Sequence, residues 1–161
     1  NSVELFVNGR SVGKKKPRKA RAIFRTVYEP GELTAVSYDL GGREIGRDTL
    51  HTAGRELELR LEPESASCKP GEMVYFRMRY TDAKGEVKPL ERHRIKVEAE
   101  NGTVMGTANA SVYFEGNYAQ SEVPSYFGEA QTVVQAGESG TLRVTVSDGE
   151  RTVSVELPCK A

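Results

Sequence analysis

Apolar and polar residues alternate with a period of two along most of the chain. Val3, Leu5 and Val7 line one face of the first such run; Val74, Phe76, Met78 and Tyr80 line another, followed by Ile95, Val97 and Ala99, then Leu142, Val144 and Val146, and finally Val153, Val155 and Leu157. Successive side chains of a strand point to opposite sheet faces, so this alternation predicts strands that bury one face and wet the other. Between the runs lie Asn8-Gly9, Pro30-Gly31, Gly41-Gly42, Pro70-Gly71, Asn101-Gly102 and Asp148-Gly149. These pairs supply the positive φ or preset proline φ that tight turns need. Short alternating strands punctuated by such turns predict an all-β, mostly antiparallel sandwich or barrel.

One strand series stops near Thr52-Ala53-Gly54, and a new one opens at Leu57-Glu58-Leu59-Arg60-Leu61. Two domains are therefore expected, residues 1–54 and residues 55–161. The second has the length and about the seven strands of a complete immunoglobulin-like β-sandwich. The first carries expected strands at Val3–Val7, Ile23–Tyr28, Leu33–Tyr38 and Glu44–Thr49, too few for the same fold. Because the chain opens within a strand, it is expected to be a piece whose N-terminus, with any export signal, lies elsewhere. Residues 105–126 read as a long irregular segment.

Composition narrows the function classes. The hydrophobic fraction of 37% supports a buried core, and 23 basic residues balance 23 acidic ones. No global field draws the chain to nucleic acid or an anionic membrane. Its apolar runs fall far short of the roughly 20 residues that span a bilayer, so no membrane insertion is expected. Cys68 and Cys159 are too few for a disulfide framework and lack zinc-site spacing, while His51 and His93 have no partner at ligand spacing, so no metal is expected. Gly9-Arg10-Ser11-Val12-Gly13-Lys14 and Gly41-Gly42-Arg43-Glu44-Ile45-Gly46 depart from the phosphate-loop and dinucleotide patterns and read as turns, so no cofactor is expected. Lys14-Lys15-Lys16-Pro17-Arg18-Lys19-Ala20-Arg21 contains no aromatic residue to stack on bases. It reads as a solvated hairpin connection, and no nucleic-acid partner is expected.

The candidate chemistry lies in and beside the irregular segment. Glu115, Glu122 and Glu129 are the carboxylates most open to acid–base work, but loop acids are ordinarily solvated, and no catalytic residue is assigned. Tyr113, Phe114, Tyr118, Tyr126 and Phe127 concentrate aromatic rings there. Tyr113, Tyr118 and Tyr126 are candidate carbohydrate contacts, because sugars pack their C–H faces on exposed rings. The plainer reading is that the rings cover the open end of the core.

The stretch Val3-Glu4-Leu5-Phe6-Val7-Asn8-Gly9-Arg10-Ser11-Val12-Gly13, followed by Tyr28-Glu29-Pro30-Gly31-Glu32-Leu33-Thr34-Ala35-Val36-Ser37-Tyr38-Asp39, resembles the immunoglobulin-like domain that follows the catalytic barrel in bacterial β-galactosidases of glycoside hydrolase family two. The second part resembles the further C-terminal sandwich of those enzymes, through Lys69-Pro70-Gly71-Glu72 and Phe127-Gly128-Glu129-Ala130-Gln131-Thr132-Val133-Val134. Where that family shows a Gly-Asn-Gly or Gly-Asn-Pro element, this chain has Gly106-Thr107-Ala108-Asn109-Ala110. The resemblance implies one partial immunoglobulin-like domain without its N-terminal strands, then a complete one. It implies a non-catalytic accessory role, with the other domains of the same polypeptide, the catalytic barrel first, as partners. It further implies an open sheet edge beside Val3–Val7 through which chains could self-associate. In such sandwiches the first strand runs beside the last, which brings Cys68 and Cys159 together as a candidate disulfide. Two alternatives share the same pattern: a bacterial surface immunoglobulin-like adhesion module, and an independent carbohydrate-binding module.

Overall fold

The computed structural model describes residues 1–113 and 116–160, and every regular element among them is a β-strand. The chain divides into two compact units, Asn1–Thr52 and Ala53–Ala161.

The first unit is one antiparallel sheet of β1 (Ser2–Val7), β2 (Arg10–Lys15), β3 (Glu32–Tyr38) and β4 (Glu44–His51), in the order β2-β1-β3-β4. Asn8 and Gly9, with φ of 49° and 77°, make the turn that returns β2 onto β1. Two expectations are corrected here. Ile23–Tyr28 is not a strand, and Arg10–Lys15, read as turn and solvated loop, is one. The two-residue turn delivers β2 to one side of β1 at small entropic cost, and β3 takes the other side, so neither side of β1 is left for residues 23–28. For the same reason the open edge is not beside Val3–Val7: β1 is an interior strand, and β2 and β4 are the edges. The basic run is partly committed to local contacts, with the Lys14 ammonium 3.6 Å from the centre of the Tyr38 ring and Lys15 Nζ donating to the Ile23 carbonyl at 2.7 Å.

The residues that carry the family resemblance hold one another. Asn8 Nδ2 donates to the Pro30 carbonyl at 3.1 Å, and Asn8 Oδ1 accepts from the Glu32 N–H at 2.8 Å. Gly31 lies under this amide with φ of 130°, and a Cβ there would stand 2.0 Å from Asn8 Oδ1. The Asn-Gly and Pro-Gly turns are thus one structural lock, and glycine at 31 is required both by space and by backbone conformation.

The second unit is a sandwich of two antiparallel sheets. One contains β5 (Glu58–Pro63), β6 (Met73–Thr81), β10 (Glu129–Ala136) and β8 (Gly102–Ala108), ordered β5-β6-β10-β8. The other contains β12 (Thr152–Cys159), β11 (Gly140–Ser147), β7 (Arg94–Glu100) and β9 (Glu122–Pro124), ordered β12-β11-β7-β9. The period-two positions form its core: Leu59, Leu61, Val74, Phe76, Met78, Ala130 and Val134 from one sheet meet Ile95, Val97, Val123, Leu142, Val144 and Val146 from the other. Burying each large aliphatic or aromatic side chain contributes about 1.5–3 kcal/mol. Strands β8 and β9 fall largely within the stretch expected to be irregular; glycines and short length blunt their alternation.

A polar tie crosses this core. Tyr80 on β6 is fully buried, and its hydroxyl donates to Asp148 Oδ2 at 3.0 Å in the turn between β11 and β12. Asp148 also accepts the backbone N–H groups of Glu150 and Arg151 at 3.0 and 2.7 Å and the Arg151 guanidinium at 3.0 Å. Burial pushes the Asp148 carboxyl up, but these donors outweigh it and hold the pKa at about 2, while burial raises that of Tyr80. Just beyond the end of β6, Asp82 accepts the N–H groups of Gly54, Lys84 and Glu86, and Lys88 Nζ donates to the carbonyls of Gly54, Arg55 and Glu56. The chain's entry into the sandwich is thereby pinned.

Tyr80→Phe is expected to destabilise the second unit by about 1.5–3 kcal/mol, because it strips a charge-assisted bond from a buried carboxylate. The lowered pKa of Asp148 means that its stabilisation is complete above its unfolded-state value near pH 4 and is lost as pH falls toward about 2. Urea unfolding across pH 2 to 7 checks both, and Asp148→Asn should flatten that acid limb.

Candidate functional site

Two adjoining clefts lie at one end of the second unit, where the connections from β8 to β9 and from β9 to β10 meet. The connection after β8 is fixed by its own backbone. Thr107 donates through its N–H to the Tyr118 carbonyl and through its hydroxyl to the Gln120 carbonyl, both at 2.9 Å. A Cβ on Gly106 would come within 2.6 Å of that Tyr118 oxygen, so glycine is needed for the close approach. Asn109 then bridges the two connections, its Nδ2 donating to the Pro124 carbonyl at 2.6 Å and its Oδ1 accepting from the Ser111 N–H at 2.9 Å.

The second connection ends in a two-residue turn. Tyr126 and Glu129 exchange backbone hydrogen bonds of 2.9 and 3.1 Å, with Phe127 and Gly128 at the corner, at φ of 50° and 75°. Both corner residues are left-handed, the geometry that favours Asn-Gly; a phenylalanine there carries steric strain of about 1–2 kcal/mol. Gly128 is dictated by space as well, since a Cβ would lie 2.4 Å from the Lys88 carbonyl oxygen. The Phe127 ring is 57% exposed and packs edge-on to Tyr126, with centroids 4.5 Å apart.

Two clefts flank this turn and share Asn109 and Tyr126 in their walls. One, of about 360 Å³, is lined by Arg77, Phe127, Glu129 and Gln131. The other, of about 540 Å³, is lined by Arg92, His93, Arg94 and Tyr113. Aromatic surface beside amide, guanidinium and carboxylate groups suits a ligand with both C–H faces and hydroxyls.

Of the sequence-derived candidates, Tyr113 and Tyr126 meet at the second cleft, with the Tyr113 ring 84% exposed. Tyr118 lines neither cleft. Glu129 reaches the first cleft, whereas Glu122 is ion-paired with Arg94. Phe114 and Glu115 lie outside the described residues. His93 stacks on Tyr80 at 4.8 Å with Nε2 3.1 Å from Glu91, and His51 lies in the other unit, 3.7 Å from Glu32. Cys68 and Cys159 adjoin one another as buried free thiols. Sequence reasoning passed over Asn109, Arg92 and the strain at Phe127; a Phe-Gly pair opening a strand was the available signal for the last.

Comparison with known proteins places the chain. Residues 57–155, more than half of it, match the family described as glycoside hydrolase family 2 C-terminal domain 5, and residues 1–46 match a domain of unknown function (DUF4982). The chain is 24% identical to beta-galactosidase BoGH2A of Bacteroides ovatus over 98% of its own length and 19% of that protein. A glycosyl hydrolase family 2 member from Bacteroides cellulosilyticus superimposes with a TM-score of 0.91 at 28% identity, over 99% of this chain and 22% of that one. A beta-glycosidase from Bacteroides vulgatus, 22% identical, shares the fold with a TM-score of 0.83 over 98% of this chain and 21% of its own. The chain therefore spans about a fifth of the length of the relatives it matches.

Phe127→Gly is expected to raise stability by about 1 kcal/mol, since it relieves the left-handed strain while keeping the turn. Thermal unfolding of the two proteins side by side checks it.

Proposed function

The chain belongs to glycoside hydrolase family 2 through a C-terminal domain of that family, and from this we propose that it is a non-catalytic accessory region of a longer, β-galactosidase-like enzyme. The observation that carries the proposal is the asymmetry of the alignments: nearly all of this chain matches about a fifth of each relative. On this reading residues 1–54 are part of an immunoglobulin-like domain and residues 55–161 a complete one. Both serve to pack beside the catalytic barrel carried elsewhere in the polypeptide and to shape access to it. The edges β2 and β4 of the first unit are the strands open to self-association.

The test is direct. Purified from a host lacking its own β-galactosidase, the chain should give no turnover of a chromogenic β-galactoside above buffer. Turnover that persists through repurification would overturn the accessory reading.

A second reading, an independent carbohydrate contact, is favoured by one specific observation: the strained turn that presents Phe127 and Tyr126 between two clefts. Its affinity for a simple sugar should be no tighter than millimolar, about −4 kcal/mol. Calorimetric titration with lactose measures it. Weak binding abolished by Tyr126→Ala supports the contact, and micromolar affinity would promote the chain to a binding module in its own right.

A further inference from the structure

The only two cysteines of the chain sit at the start and end of the second unit, yet they are neighbours. Cys68 N–H donates to the Pro158 carbonyl at 3.1 Å, and the Lys160 N–H donates to the Cys68 carbonyl at 2.9 Å. This pair of bonds makes an isolated parallel bridge in which Cys68 and Cys159 are the partner residues. Paired strands lie about 4.8 Å apart. That separation falls within the roughly 4.4–6.8 Å of Cα distance that a disulfide spans. Partner residues of a bridge project to the same side, and both side chains do so here: each belongs to the hydrophobic core, with Cys68 4% and Cys159 2% exposed.

We propose that Cys68 and Cys159 are an intramolecular disulfide site that staples the segment before β6 to the last strand of the sandwich. The bond closes a loop around most of the second unit, which is the arrangement in which a crosslink restricts the unfolded chain most. The oxidant is a disulfide of a thiol–disulfide oxidoreductase or of glutathione. One cysteine thiolate attacks it and expels the first thiol, forming a mixed disulfide. The second cysteine thiolate then attacks the protein sulfur, forms the Cys68–Cys159 bond and expels the second thiol. The chain loses two protons and two electrons, and the oxidant disulfide gains them as two thiols.

Burial also fixes when this must happen. Out of water, and hydrogen-bonded to Cys159, the Cys68 thiol has its pKa raised, so the attacking thiolate is scarce once the core has closed. Oxidation belongs to folding, before β12 completes the sheet, and a formed bond is shielded from reductants afterwards.

The experiment is to refold the chain in a glutathione redox buffer, and separately with excess reductant. Intact mass and thiol content in denaturant are then measured, together with Tm. The expected result is a monomer lighter by two hydrogens, without free thiols, and with a Tm higher by roughly 10 °C or more than the reduced chain. That gain should vanish on reduction in denaturant and be absent from Cys159→Ser. Because that variant could fold poorly, the comparison of oxidised with reduced wild type decides. Two titratable thiols after oxidative refolding, disulfides only between chains, or a bridged monomer with unchanged Tm would each overturn the proposal.

Discussion

The hydrogen bond from the buried Tyr80 hydroxyl to Asp148 is the interaction on which the second unit turns. A phenol in a dry core needs an acceptor, and a carboxylate at the core's rim needs donors; each is the other's solution. Because Tyr80 lies on one sheet and Asp148 between two strands of the other, satisfying both fixes how the sheets meet. The same residue reaches the surface site through its backbone. The Tyr80 N–H donates to the Gly128 carbonyl at 2.8 Å, and its carbonyl accepts the Lys88 N–H at 2.9 Å. The corner that displays Phe127 is therefore anchored to a fully buried residue of the core.

Two turns of the same handedness show what different demands do to one geometry. At Asn8-Gly9 the asparagine suits the left-handed conformation, and its amide also organises the neighbouring Pro-Gly turn. At Phe127-Gly128 a ring occupies the position that asparagine favours, and an apolar side chain makes no hydrogen bond of the kind that Asn8 makes. Strain of this kind persists where the surroundings over-determine it and points to a surface used for contact. On the accessory-region proposal, that contact is with another domain of the same polypeptide or with a sugar. The clefts on both sides of the ring offer surface for either.

The two units rest on different physics. The second has two sheets with facing apolar surfaces and closes a core between them. The first is one sheet with scattered exposed apolar side chains, Leu33, Ile45 and Leu50 among them. A single sheet gains less from burial than a sandwich and leans more on its local locks, such as Asn8 over Gly31.

The sequence by itself determined the strand-rich class, most core positions of the sandwich and the turns that join its strands. These are legible because a period of two and a residue's tolerance of positive φ are local properties. It missed β2, β8 and β9, and it put a strand at Ile23–Tyr28, because apolar alternation says a segment is able to pair without saying whether a partner is free. Only the tertiary structure decided that β1 is interior, since that depends on which segment claims each side of it first. The sequence marked the tyrosines as a cluster, whereas the fold put Tyr113 and Tyr126 on one cleft and Tyr118 elsewhere. Cys68 and Cys159 are two thiols far apart in sequence, and only the resemblance to an immunoglobulin-like sandwich implied that they meet. Their juxtaposition is a matter of sheet closure, which pairs residues by spatial register and takes no account of their separation along the chain.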